Sequence, residues 1–503
     1  MPELIEYPCG ISSCPNKNLG FYAICDDCHQ VRCIEHNNAE YHICKNKKSP
    51  GRKEIYNNAK RDYFQTVLND VTKHQQHFLN EINILRPDHH PTLVIPPSVD
   101  SLLDDGTRGG FNLHFKITFD VGVKWLLRVR QSRGHRPPPE LADAVIQSEV
   151  ATLNVLKSQG IPFPKAFLPL HLTNVSERKD ESSAVPPLDY FYYESMSGTP
   201  MNVPRSGYIG KIELPKDQLR HFIEEFAKVQ ISLSNLKLPY KHIGCIYPSK
   251  DGYGTSTTTG PTVARGCFMN PTPPYLLGPF VNQKERYLAH IDAALRYISV
   301  NALQGSGIDE YLWHLELREL VTASKILGED PGQLYVKHDD EKGDHLMVDD
   351  GGKVVGILDW EWAYVTTKAE AFSTPYIFNR TGEYIFLGSN EMTEDEKSLI
   401  ETYVRLGRED LADCVRNGRL YTRLQRIGQY DKAYKKSGFR EVFDVIPSDF
   451  DPPKTDADWT VYMIRRYAHD VGLQGYMAKY EWSLERAEKE AMEWHEKNDK
   501  KEK

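Results

Sequence analysis

The stretch that most constrains what this 503-residue chain can fold into is residues 335–363, YVKHDDEKGDHLMVDDGGKVVGILDWEWA. An apolar lead-in (Leu334, Tyr335, Val336) reaches His338, Asp339 and Asp340, and a polar turn follows through Glu341, Lys342, Gly343 and Asp344. Next come the apolar Leu346, Met347 and Val348, a turn at residues 349–352, and a second apolar run that delivers Asp359. Short apolar runs bounded by Asp and Gly predict a loop followed by a two-stranded hairpin, with a carboxylate at each end. Such a pair suits phosphoryl transfer: one Asp orients or deprotonates an acceptor hydroxyl, and the other holds Mg²⁺ against nucleotide phosphates. On spacing alone, acidic turns in an ordinary hairpin account for the pattern equally well.

The segment resembles the catalytic stretch of the aminoglycoside phosphotransferase and choline kinase group, relatives of the protein kinases. Their pattern is H-x-D-x-x-x-x-N, a hairpin, then I-D-W-E. His338 and Asp340 fall on its first two positions, and Asp359, Trp360 and Glu361 on its last. Lys342 stands where protein kinases carry a phosphate-contacting lysine, and His345 stands where a second metal-binding Asn belongs. An imidazole can ligate metals, but Mg²⁺ prefers oxygen. The K-G-D-H run is similar to one in a group of fungal proteins of this family. The resemblance implies Asp340 as base or orienter, Lys342 as phosphate contact, Asp359 as metal ligand, and a weakened metal role for His345. It implies a bracing role for His338.

Six of the nine cysteines lie within the first 44 residues, interleaved with two histidines: Cys9, Cys14, Cys25, Cys28, Cys33, His36, His42 and Cys44. Eight such ligands, in C-x2-C and C-x2-H pairs, match two tetrahedral Zn²⁺ sites. So small a segment needs the metal to fold. A disulfide framework is the competing explanation; it requires secretion and leaves both histidines unexplained. The spacing resembles the AN1-type zinc finger. That family implies a cross-brace, with Cys9, Cys14, Cys33 and His36 on one zinc and Cys25, Cys28, His42 and Cys44 on the other. It also implies a protein partner, against the alternative of a purely structural knob.

A net charge of −8 argues against nucleic-acid and anionic-membrane partners. No apolar run reaches the ~20 residues that span a bilayer. The opening MPELIEYPCG lacks the basic and apolar regions of a signal peptide. The expectation is a cytoplasmic or nuclear protein.

After a basic connector, apolar spacing over residues 56–85 predicts one helix, stopped by Pro87, with a proline-bearing linker at residues 88–97. Residues 102–130 predict a hairpin, with Gly106, Gly109 and Gly110 before strict alternation at Phe111, Leu113, Phe115 and Ile117, and a turn at Gly122. A strand ending in Leu-Arg, a helix bearing Glu149 and then I-P-F-P follow, in the order seen in phosphotransferases of this group. By that resemblance Arg128 pairs with Glu149 and holds phosphates; Arg130, on the same strand face, is the competing cation. The aromatic strand at residues 188–196 matches the family's hinge, where backbone around Glu194 and Met196 meets adenine.

Further helices are predicted at residues 214–236, 284–300, 308–327 and 393–406, the last opened by a capping pair, Thr393 and Glu396. Residues 249–266 predict a mobile Gly- and Thr-rich loop, and the charged C-terminal end a frayed, solvated helix. The expected fold class is α+β: a protein kinase-like two-lobed phosphotransferase fold preceded by a small two-zinc cross-brace finger. Its domains are a finger (1–48), helical linker (49–100), nucleotide-binding lobe (101–200), catalytic and acceptor lobe (201–485) and charged tail (486–503). The expected activity is ATP- and Mg²⁺-dependent phosphorylation of a small-molecule hydroxyl. The alternative is a catalytically weak, pseudokinase-like scaffold that recruits partners through its finger.

Overall fold

A computed structural model describes residues 7–8, 17–18, 22–24, 31–33, 51–104, 112–131, 138–173, 185–201, 212–249, 256–263, 273–300, 307–343, 345–425, 427 and 437–499. Two compact units emerge: Met1–Ile146 with Lys165–Ser195, and Gln147–Pro164 with Met196–Lys503.

In the first unit, Tyr7–Pro8 (β1) pairs with Lys17–Asn18 (β2), and Tyr22–Ile24 (β3) with Val31–Cys33 (β4), both antiparallel. Cys33 closes β4. Cys9, Cys14, Cys25, Cys28, His36, His42 and Cys44 lie outside the described residues, as do Gly106, Gly109 and Gly110.

The helix expected over residues 56–85 is two, Gly51–Lys73 (α1) and Gln75–Leu85 (α2). His74 interrupts them, its ring Nδ1–H donating to the Asp70 carbonyl at 2.8 Å. From Phe64 onward this stretch does more than link. Phe64, Val67, Leu68 and Val71 of α1 and Phe78 and Ile82 of α2 share one core with the sheet. The proline-bearing stretch supplies an edge strand, Pro91–Val94 (β5), opened by the proline, which has no N–H to give a ladder. Leu102 sits in a short helix, Val99–Asp104 (α3), because Val99 and Leu102 turn into that core rather than alternate.

Asn112–Phe119 (β6) and Lys124–Arg130 (β7) form the predicted hairpin. Gly122, at φ +75°, makes its turn, a conformation glycine adopts without a Cβ penalty. With Ala166–Phe167 (β8) and Tyr190–Glu194 (β9) the sheet runs β5-β6-β7-β9-β8, antiparallel throughout. Period-two alternation sends Leu113, Phe115 and Ile117 of β6 and Trp125, Leu127 and Val129 of β7 into the helix-covered core. One charge is built into that core. Buried Glu81 of α2 accepts from Tyr190 Oη (2.8 Å), Tyr192 Oη (2.6 Å) and the Leu170 N–H (2.9 Å). Three donors on one carboxylate satisfy it, so α2 is pinned to the sheet rather than merely packed on it.

The helix Pro139–Ser158 (α4) begins in the first unit and ends in the second. The second unit is mainly helical, with Lys216–Ser234 (α5), Gln283–Ser299 (α6) and Ile308–Ala323 (α7) close to their predicted spans. Glu394–Arg405 carries the predicted capping box: Thr393 Oγ1 accepts from the Glu396 N–H (3.1 Å), and Glu396 Oε2 from the Thr393 N–H (2.7 Å). One expectation fails here. The Gly- and Thr-rich stretch contains a strand, Thr257–Gly260 (β12), laddered to Cys245–Pro248 (β11), because its β-branched threonines suit a pleat. The C-terminal helix, Leu484–Asp499, buries Ala487 and Ala491 on one face, and from Met492 to Lys497 its residues are exposed. Among the described residues no helix is long and apolar enough to cross a membrane.

Candidate active site

The predicted hairpin lies in the second unit. Tyr335–Lys337 (β13) pairs with Tyr364–Thr366 (β16). Leu346–Val348 (β14) pairs with Val354–Ile357 (β15), and Thr199–Pro200 (β10) flanks β14. β13 ends at the His338–Asp340 loop, and β15 delivers Asp359. A cross-link joins the two deliveries. His338 Nε2 donates to the Leu358 carbonyl at 2.8 Å, while its Nδ1 accepts the Asp340 N–H at 3.3 Å. Those partners fix the tautomer with the proton on Nε2 and use both nitrogens, so His338 braces the loop.

Trp360 is fully buried beneath this brace. Its ring meets His338 edge-on at 4.7 Å and Phe163 of the I-P-F-P segment at 5.2 Å, and its Nε1–H donates to Ile357 O at 3.2 Å. Asp339 and Asp359 both have φ near +70° (67° and 68°). Left-handed backbone at a non-glycine residue costs of order 1–3 kcal/mol and persists only where surrounding contacts hold it. Here the surrounding contacts are the His338 cross-link and Trp360 on one side and, on the other, the Asp339 contacts described next.

Asp340 Oδ2 and Lys342 Nζ are 2.9 Å apart, with side chains 12 % and 29 % exposed. A carboxylate with a cation at its edge, still open to solvent, can take a hydroxyl proton and present positive charge to a phosphate. The loop beneath them is anchored by residues that sequence reading did not single out. Gln425 Nε2 donates to Asp339 Oδ1 (2.8 Å) and to its carbonyl (3.1 Å). Tyr364 Oη lies 3.5 Å from Asp339 Oδ1 and donates to Glu370 at 2.9 Å. Buried Glu370 also accepts from Arg286 (2.7 Å), Tyr287 Oη (2.8 Å), Gln283 Nε2 (2.8 Å) and Thr366 Oγ1. Gln425 lies 86 residues from Asp339, in no motif, so nothing local announced it.

Burial pushes the Asp339 carboxyl up to about 6, against the opposing pull of Lys337, Arg286 and Gln425. The folded chain therefore holds that proton more tightly than the unfolded one. The stability it contributes is full below the ordinary value of 3.8 and lost as pH rises through about 6. Replacing Asp339 with Asn should remove this component. Denaturation midpoints of wild type and variant, compared from pH 4 to pH 7, should converge at low pH in the protonated-like state and diverge in slope above it. Parallel profiles would contradict the assignment.

The remaining predicted residues fall as follows. Arg128 and Arg130 lie on the sheet face opposite the helix-packed core, 5 % and 7 % exposed, with the Arg128 guanidinium 5.3 Å from the Phe191 ring. Glu149 is buried on the second-unit part of α4. Glu194 ends β9, its carboxylate accepting the Lys165 N–H at 3.0 Å and its own N–H donating to Lys165 O at 2.9 Å. Met196 opens the second unit's stretch, its thioether lying over Gly356 so closely that a Cβ there would be 2.4 Å from Met196 Cε. His345 is buried, with Nδ1 accepting the Gly343 N–H at 3.2 Å. Cys245 and Cys414 have thiols pushed up to about 11 by burial, which leaves them protonated and poor nucleophiles. Among the described residues no group of three or more His, Cys, Asp or Glu is placed to hold a metal ion.

No curated protein sequence matches the chain. Several solved structures resemble it. An ethanolamine kinase from Plasmodium vivax aligns over 81 % of this chain and 92 % of its own at 11 % identity, with a TM-score of 0.39. A macrolide 2'-phosphotransferase from Brachybacterium faecium aligns over 75 % and 99 % at 11 % identity, TM-score 0.33. An aminoglycoside phosphotransferase, solved with ADP and hygromycin B, aligns over 70 % and 98 % at 12 % identity, TM-score 0.34. The family model described as the phosphotransferase enzyme family matches residues 109–367, more than half of the chain and inclusive of the whole His338–Asp359 assembly. The chain belongs to the phosphotransferase enzyme family.

Proposed function

We propose that this chain transfers the γ-phosphoryl group of ATP, with Mg²⁺, to a hydroxyl of a small molecule. The observation that carries the reading is the 2.8 Å bond from His338 Nε2 to Leu358 O, which ties the Asp340–Lys342 loop to the backbone that bears Asp359. Asp359 supplies the hard oxygen donor that Mg²⁺ takes, and Asp340 the carboxylate that orients and accepts the hydroxyl proton. When bound, the metal neutralises charge on the phosphates. Lys342 meets the transferring group, and the family pattern gives Arg128 and Glu149 roles toward the remaining phosphates. Backbone around Glu194 and Met196 meets adenine. The test is ADP formation from Mg-ATP with panels of aminoglycosides, amino alcohols and sugars. Acceptor-dependent ADP supports the reading, and no turnover together with no nucleotide binding contradicts it.

Within the same reading the N-terminal segment is a two-zinc cross-brace finger of the AN1 type that contacts a protein partner. One zinc is held by Cys9, Cys14, Cys33 and His36, the other by Cys25, Cys28, His42 and Cys44. What supports it is the ligand spacing, eight soft or borderline donors within 36 residues of sequence. Purified chain should carry two zinc ions by elemental analysis, and Cys28→Ser should carry fewer. A metal-free chain with an intact N-terminal segment would contradict it.

A further inference from the structure

A second divalent cation, which the family resemblance places at position 345, does not fit the residues present. His345 is 4 % exposed, and its Nδ1 is occupied as acceptor of the Gly343 N–H at 3.2 Å. A neutral imidazole carries one proton, so Nε2 must bear it, and no lone pair is left for a metal. The ring instead faces His338 at 4.4 Å and 30°. The backbone on either side of that stack is informative. The Leu358 N–H donates to His345 O at 2.8 Å, and Leu358 O accepts from His338 Nε2 at 2.8 Å. The residue preceding Asp359 is thus held at both backbone groups, its carbonyl by the His338 ring and its N–H by the main chain of residue 345.

We infer that His345 is a positioning residue and not a metal ligand: its ring stacks on His338, whose Nε2 holds the Leu358 carbonyl, thereby sets Asp359, and leaves a site that takes one divalent cation. The inference rests on the proposed phosphotransferase reading. It makes the loss of the Asn pattern a substitution of function, in which a ligand position becomes a second brace.

The test is equilibrium dialysis of the full chain with Mn²⁺ and a non-hydrolysable ATP analogue, reading nucleotide-dependent Mn²⁺ per bound nucleotide. Wild type is expected to bind one. His345→Phe, which keeps a flat ring beside His338 but no ring nitrogen, is also expected to bind one. His345→Ala should keep that ratio while Mn²⁺ affinity falls severalfold and metal-free nucleotide affinity stays at the wild-type value, a split that a loss of general stability would not produce. Two Mn²⁺ in wild type, falling to one in His345→Phe, would overturn the ligand assignment. Unchanged Mn²⁺ affinity in His345→Ala would overturn the positioning role. A folded wild-type chain that binds no nucleotide would instead overturn the phosphotransferase reading and the inference with it.

Discussion

Replacing Asp340 with Asn is expected to lower kcat for phosphoryl transfer by about 10²–10⁴-fold, the range for loss of a positioned general base, with Mg-ATP binding near wild type. On the proposed reading the carboxylate acts on the acceptor hydroxyl, not on the nucleotide, so the effect belongs in kcat. Asn keeps the shape and an oxygen for Lys342, which sits 2.9 Å away, so the loop should survive the change. Steady-state ADP formation with any acceptor that supports turnover, alongside calorimetric nucleotide binding, gives both quantities. A variant with wild-type kcat would remove Asp340 from the chemistry.

The second large effect is on folding. Glu370→Ala should destabilise the second unit by about 3–5 kcal/mol, because it strands the buried Arg286 guanidinium as well as four other donors. Burial alone would push the Glu370 carboxyl up, but Arg286 and the surrounding donors reverse this and bring it down to about 2. A lowered carboxylate contributes stability that is present above its ordinary value of 4.5 and lost as pH falls through about 2. Urea denaturation of wild type and Glu370→Ala at neutral pH reads the difference. Glu370→Gln, which keeps an acceptor oxygen, should lose less than Ala. Equal midpoints for all three would contradict the anchoring role.

How much of this was legible in the sequence depends on whether the contacts are local. The β14–β15 hairpin, the β6 alternation and the Thr393–Glu396 cap are written in neighbouring residues, and each appears where the pattern put it. The α1–α2 pair reads as one helix in a linker because its partners, Leu113 to Tyr192, lie far along the chain. Pro91–Val94 reads as a linker for the same reason: only pairing with β6 makes it a strand. At the site, the motif residues were readable, but their supports were not. Gln425, Tyr364, Arg286 and Glu370 converge on the loop from segments up to 86 residues away and carry no spacing signal. At Leu358 the support is a ring contact on one side, His338 Nε2 to its carbonyl, and a main-chain bond on the other, its N–H to His345 O, and the H-x-D motif spells out neither.

The most direct test of the central claim is ATP binding by calorimetry, with and without Mg²⁺, on wild type and Asp359→Ala. The expected result is Mg²⁺-dependent binding in wild type that disappears in the variant, with both proteins folded to the same extent by circular dichroism. Binding of equal strength and equal Mg²⁺ dependence in the two proteins would contradict it.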